Sequence, residues 1–221
     1  MAMDQAEIAA WEAKWASSVS AQGQDTAHDF DHVRRVVANA KELAALEHGR
    51  LEVILPAAWL HDLVTIPKGH PNRSDASRQS AQEAVALLEK QHYPAELLPE
   101  IAHCIEAHSF SAGIEPRTRE ACIVQDADRL DALGAIGIAR CFATAGELRG
   151  QLYHASDPFA RNRELNDALY ALDHFETKLF RVGQTLRTPS AKKVGESRVA
   201  FMRAYLTQLR SELAGMGQQL S

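Results

Sequence analysis

Cysteine is scarce in this 221-residue chain, which carries only Cys104, Cys122 and Cys141, far apart and each in an apolar, helix-like stretch. An odd count at such spacing excludes a disulfide framework and a cysteine zinc site, so the three read as small core hydrophobes. Positive charge is also in deficit: 24 Lys and Arg stand against 29 Asp and Glu, a formal net charge of -5. That field repels a polyanion and argues against extended DNA or RNA as a partner. A small phosphorylated metabolite stays compatible, because a bound dication and a few arginines outweigh so modest a global charge. Long apolar runs are missing too. The opening MAMDQAEIAAWEAKW places Asp4, Glu7, Glu12 and Lys14 where a signal peptide needs uninterrupted apolar residues, and no later stretch approaches a membrane span. The expected setting is therefore a reducing cytoplasm, away from membranes. Sustained apolar alternation with β-branched residues, internal repeats and low-complexity tracts are absent as well, which argues against sheets, barrels and solenoids.

What the chain has is apolar residues, 46% of the total, recurring at steps of three and four. This period predicts helices throughout. A first helix is expected over about 4 to 20, with Ile8, Trp11 and Trp15 on one face, closed by the polar run SSVSAQGQ. Asp25 or Thr26 can cap a second over about 28 to 47, whose stripe includes Val33, Val36, Val37, Ala40, Leu43 and Ala44. The third, about 51 to 63, reads LEVILPAAWLHDL and is apolar on most sides, the mark of a buried helix. TIPKGHPNRS, 65 to 74, must be a loop, which leaves His61 and Asp62 at the helix end facing it. Further helices are expected at about 75 to 91, 95 to 108, 116 to 132 and 134 to 147, separated at Tyr93-Pro94, Gly113 and Gly134. A long exposed loop over about 148 to 163 then precedes a last pair at about 164 to 185 and 190 to 214. Trp59 lies among apolar residues and reads as core, with Trp11 and Trp15 holding the first helix in place.

Four ionisable residues interrupt these apolar faces: His32, the adjacent His61 and Asp62, and Asp128 within IVQDADRLDALGAIGIA. A buried aspartate is costly unless it is paired or bound to a cation, so Asp62 and Asp128 ask for a positive partner. A divalent ion flanked by two imidazoles supplies one. Two nitrogens and two carboxylate oxygens suit manganese, iron, zinc, cobalt or nickel and, less comfortably, magnesium. Adjacent helical residues point about 100° apart, so His61 and Asp62 can share an ion only in the wedge between them, which is easiest in a last helical turn. A capped, solvated helix end is the bland alternative for the pair.

The order His32, His61-Asp62, Asp128 resembles the H...HD...D signature of the HD-domain phosphohydrolase superfamily over most of residues 25 to 145. The contexts HDFDHVRRV, AAWLHDL and QDADRLDALGAIGIAR are similar to those of stand-alone bacterial members, as are HFETKL at 174 to 179 and SRVAFMRAYLTQL near the end. The resemblance implies an all-α fold, an HD-domain helical bundle with a C-terminal helical extension. The whole chain is then expected to be a single domain, with a core at about 25 to 145 and the first helix and residues 148 to 221 packed on it. It also implies that His32, His61, Asp62 and Asp128 are the metal ligands, and that Asp62 can bridge to a second ion. Histidines on following helices supply that second site in some members; the candidates here are His108, near a helix end, and His103, which faces about 140° away.

Other polar residues are candidates for substrate contact. His28 and Arg35 share a helix face with His32, and Arg35, a planar permanent cation, suits a phosphate oxygen as readily as a surface salt bridge. Lys68, His70 and Arg73 lie on the loop after the His61-Asp62 helix, where they can close over an anion or simply be solvated. Asp131 can accept from a metal-bound water or a ligating histidine, or pair with Arg129 or Arg140. The expected function is hydrolysis of a phosphate ester, mono- or diester, of a small molecule such as a nucleotide, with metal-activated water as nucleophile. Asp62, Asp128, Arg35 and His108 are the expected catalytic groups. Two rival expectations are a di-iron oxygenase on the same scaffold and a non-catalytic nucleotide or metal sensor. LVTIPKGHP lacks the acidic pair that follows the HD helix in alarmone hydrolases, which argues against that substrate. Phe201, Tyr205 and Leu209 on the closing helix offer a possible homodimer face.

Overall fold

A computed structural model describes residues 4–20, 30–66 and 71–217. Nine α-helices are found among them: α1 Gln5–Ser20, α2 Phe30–Glu47, α3 Leu51–Leu60, α4 Ala76–Lys90, α5 Leu98–His108, α6 Arg119–Asp131, α7 Gly134–Glu147, α8 Phe180–Gln184 and α9 Pro189–Gly217. The fold is all-α. Among the described residues the one β-type feature is an isolated parallel bridge between Gln151 and Tyr170. No helix there is long and apolar enough to cross a membrane. Compact packing divides the chain into two units, Met1–Asp131 with Leu186–Ala191, and Ala132–Thr185 with Lys192–Ser221.

The first unit is built around α3, whose residues Val53 through Leu60 are all buried. Helices α1, α2, α4, α5 and α6 pack against it. Pro56 lies inside this helix and has no N–H to give the carbonyl four residues back. That carbonyl, Glu52 O, instead accepts from the Tyr93 hydroxyl at 2.6 Å. Tyr93 in turn meets Trp11 edge-on at 5.0 Å, and Trp11 stacks on Trp15 at 5.7 Å, so α1 is fastened through aromatic contacts. Trp59 Nε1 adds a bond to Glu12 of α1, 3.1 Å long.

Helices α2, α4 and α7 end alike. The residue after the C-cap lies in the left-handed region, at His48, His92 and Arg149, with φ of 55°, 58° and 57°. In each case the next amide bonds back across the last turn: Gly49 N to Ala44 O, Tyr93 N to Leu88 O and Gly150 N to Ala145 O. This is a Schellman ending with a side-chain-bearing residue where glycine is usual. His92 is exposed. Removing its Cβ relieves a left-handed strain of about 1–2 kcal/mol against a smaller entropic cost, so His92→Gly should gain roughly 0.5–1 kcal/mol in urea unfolding. A loss of stability would show that the imidazole has a tertiary role.

The second unit contains α7, a long connection from Leu148 to Leu172, a helical segment that starts at Asp173, passes through a π-helical turn at Phe175–Leu179 and runs into α8, and the bulk of α9. The expectation of a helix over 164 to 185 is corrected here, because helix begins only at Asp173. The reason is ionic. Asp173, 2% exposed, takes two bonds from the Arg163 guanidinium at 2.6 and 2.8 Å and a third from Asn166 N at 2.6 Å. A helix from 164 would carry Asn166 and Asp173 apart by about 10 Å along its axis. Arg163 also lies over the Tyr170 ring at 4.6 Å, so the connection is a built structure of its own. Of the three residues offered as a dimer face, Phe201 is exposed, but Tyr205 stacks on Phe175 at 6.3 Å within this unit.

Candidate metal centre

Four helix ends of the first unit bring the titratable side chains together. His32 lies in the first turn of α2, His61 is the C-cap of α3 with Asp62 directly after it, His108 closes α5, and Asp128 is in the last turn of α6. Three of these are helix C-termini, whose partial negative charge favours a cation. The elements are pinned near the site. Asn39 Nδ2 of α2 reaches Ala127 O at 3.1 Å, and Gln125 Nε2 of α6 caps Ala107 O of α5 at 2.6 Å. The chain leaving Asp62 is held by Ser80, whose hydroxyl accepts from Val64 N at 3.0 Å.

The donor atoms converge. His32 Nε2 is 3.4 Å from Asp128 Oδ1 and 3.9 Å from Asp62 Oδ2. His61 Nε2 is 3.4 Å from Asp62 Oδ2 and 4.0 Å from Asp128 Oδ1. His108 Nε2 lies 3.5 Å from Asp62 Oδ1, the other oxygen of that carboxylate. Two groups meet the spacing for a shared ion, His32, His61 and Asp128, and His61, Asp62 and His108. Ligands about 2.1 Å from one ion sit roughly 3.0–3.4 Å apart, which the three shorter contacts, at 3.4 to 3.5 Å, match, while the two longer ones, at 3.9 and 4.0 Å, exceed it by about half an ångström.

Each imidazole presents Nε2 inward because Nδ1 is engaged elsewhere: His61 donates to Ala58 O at 2.8 Å, His108 to Ile105 O at 2.6 Å, and His32 to Asp131 Oδ2 at 2.7 Å. The first two acceptors are last-turn carbonyls that the helix itself leaves unused. His61 is completely buried, and its Nε2 has no hydrogen-bond partner. A lone pair facing carboxylate oxygens at 3.4 and 4.0 Å is repelled unless a cation lies between them. The donor set therefore fits a divalent ion.

The electrostatics agree in part. Burial pushes the His61 imidazole below its usual range, against the pull of Asp62, so it is neutral and able to ligate. Burial raises the Asp128 carboxyl, but the hydrogen bond and charge of His32, with His108 and His61, more than offset this and hold it ionised. For His108 burial acts downward, yet hydrogen bonding and charge from Asp62 carry it above its ordinary value. Ligation by His108 would work against that shift, because an ion and a proton compete for the same Nε2 lone pair.

The remaining candidates are placed as follows. Arg35 forks onto Asp131, Nε to Oδ1 at 2.7 Å and NH2 to Oδ2 at 3.2 Å. Arg73 donates to Ile66 O, in the segment that follows Asp62. His103 Nε2 accepts from Arg117 N at 2.9 Å, outside the cluster. His28, Lys68 and His70 lie outside the described residues. Sequence reasoning missed Asp126, fully buried two residues before Asp128. It accepts from Arg187 N at 2.8 Å, Thr188 N at 2.7 Å and the Thr188 hydroxyl at 2.8 Å, and so fixes the segment from which α9 starts. Its only sequence signal was a second acid in the same apolar run.

Residues 29–133 match the HD domain family. YpgQ of Bacillus subtilis, an uncharacterized protein, is 31% identical over 211 residues, 94% of each chain. The chain belongs to the HD-domain superfamily. All of the clustered residues fall inside the matched HD segment. A crystal structure of YpgQ in complex with ADP aligns with a TM-score of 0.72 at 30% identity, covering 91% of this chain and 97% of that one. An HD-superfamily hydrolase from Bacillus thuringiensis aligns with a TM-score of 0.70 at 30% identity, covering 93% and 97%. This HD-domain protein thus has the fold of HD-superfamily hydrolases and carries residues able to hold a divalent metal.

Proposed function

We propose that this HD-domain protein is a metal-dependent phosphohydrolase that cleaves a phosphate ester of a small molecule, foremost a nucleotide. The observation that carries the reading is the buried, partnerless Nε2 of His61 facing two carboxylates. A divalent ion held by His32, His61, Asp62 and Asp128 would polarise a phosphoryl oxygen and make hydroxide available near neutral pH. Asp62 and Asp128, 18% and 26% exposed, are the members of the cluster that reach solvent and can accept a proton from, and so orient, an attacking water. His108, whose imidazole burial depresses but hydrogen bonding and charge from Asp62 carry above its ordinary value, is placed to steady a phosphate oxygen. The ADP in the YpgQ crystal supports a nucleotide as the ligand class.

The test is metal analysis of protein purified without chelator, coupled to a phosphate-release screen over nucleoside mono-, di- and triphosphates with Mn, Co, Ni, Zn and Mg. Release that is abolished by chelator and restored by one metal is expected. Silence across the panel in metal-loaded protein would sink the reading. Two irons per chain with oxygen consumption would favour an oxygenase, and a nucleotide-raised melting temperature without turnover would favour a sensor.

A further inference from the structure

The three imidazoles of the cluster are oriented by two different kinds of acceptor. Those of His61 and His108 are neutral backbone carbonyls, fixed by their own helices. That of His32 is the carboxylate of Asp131, and both side chains are only 2% exposed. Asp131 lies three residues beyond Asp128 on α6, so one helix presents two acids to one ring. Asp128 Oδ1 lies 3.4 Å from Nε2, and Asp131 Oδ2 lies 2.7 Å from Nδ1. Arg35, three residues beyond His32 on α2, grips Asp131 with two bonds while its own side chain stays 33% exposed. A carboxylate held by a guanidinium is ionised and can only accept. His32 must therefore donate from Nδ1, which leaves Nε2, facing Asp128 when no ion is bound, as the atom whose lone pair an ion would take.

We propose that Arg35 and Asp131 form a positioning pair that fixes the tautomer and ring direction of His32 and strengthens it as a metal ligand, an inference that rests on the metal site proposed above. A carboxylate partner makes an imidazole more basic than a neutral carbonyl does. Buried alone, that carboxylate would be costly, and Arg35 supplies the compensating charge. Arg35 acts through Asp131, not by contact with substrate. The Asp131–Arg35 pair thus makes His32 the one imidazole of the three whose Nδ1 is held by an ionised side chain.

The experiment uses chelator-treated full-length protein, with Asp131→Asn, Asp131→Glu and Arg35→Gln beside the wild type. Mn2+ affinity is measured by calorimetry, and the histidine ring nitrogens are observed by 15N spectroscopy without metal. Asp131→Asn is expected to weaken Mn2+ binding by about 10–100-fold, with a matching rise in the Mn2+ concentration needed for turnover. Asp131→Glu should recover part of the loss. Arg35→Gln, at the more exposed end of the pair, should show the same effect at smaller size and serves if Asp131→Asn folds poorly. In the wild type Nδ1 of His32 should carry a proton, whether or not Nε2 does in the absence of metal. Folded variants that bind Mn2+ within twofold of wild type, or a wild-type His32 protonated on Nε2 alone, would overturn the proposal. If the wild type itself binds no metal, the metal reading fails instead, and the ring-nitrogen spectrum decides the tautomer claim by itself.

Discussion

Asp128→Ala should lose metal binding and turnover together. Asp128 supplies one of two carboxylates at the centre, with Oδ1 at 3.4 Å from His32 Nε2 and 4.0 Å from His61 Nε2. Without it the remaining donors are three imidazoles and Asp62, and the carboxylate charge offered to an ion falls from two to one. A cation contributes several kcal/mol of transition-state stabilisation, so its loss corresponds to a fall in turnover on the order of 10³-fold or more. Stability should fall as well. In metal-free protein burial raises the Asp128 carboxyl, but His32, His108 and His61 more than offset this and hold it ionised and well below its usual range, so the group stabilises the fold at neutral pH, and its deletion should lower the apo melting temperature. The rise that added metal confers on wild type should vanish. Full activity in a metal-verified mutant would refute the centre, and a collapsed far-UV spectrum would recast Asp128 as structural.

The centre was legible because its chemistry conflicts with its surroundings. His32, His61, Asp62 and Asp128 stand out as charges on apolar helical faces, but helical period and spacing placed only His61 and Asp62 at a helix end, and the four were joined as a ligand set by the resemblance to the HD signature. His108 was readable only as a histidine near a helix end, since its approach to Asp62 Oδ1 depends on how α5 packs against α3, which no local pattern encodes. Arg35 and Asp131 could each be read in several ways because a salt bridge between residues 96 apart is a product of folding. Asp126 was invisible for the same reason: its partners are two backbone amides at 187 and 188. Among the elements, α7 lies over the expected 134 to 147, and α9 runs slightly past the expected 190 to 214. The 164 to 172 stretch failed because Arg163, Asn166 and Asp173 form a compact ionic knot, and side-chain bonding of this kind overrides helical propensity without leaving a periodic trace.

That knot hands the chain to Phe175, and Phe175→Ala should be the most damaging substitution in the second unit. The ring is fully buried at the start of the π-helical turn. It stacks on Tyr205 of α9 with planes 11° apart, and lies 6.1 Å from Phe142 of α7 and 6.2 Å from Phe180 of α8. All three helices of the unit therefore meet on one side chain. Truncation removes the transfer energy of the ring and leaves a cavity that three separate elements cannot close together, a cost of about 3–5 kcal/mol. The aromatic pairs add roughly 0.5–1.5 kcal/mol each, part of which is already counted in that range. Phe175→Leu, which keeps most of the volume, should cost less than half as much. Urea unfolding of the full-length protein, followed by far-UV circular dichroism, reads both values. A loss under about 1 kcal/mol for the alanine variant would mean that the aromatic cluster repacks freely and that the ionic knot, with Asp173 at its centre, is what holds this unit together.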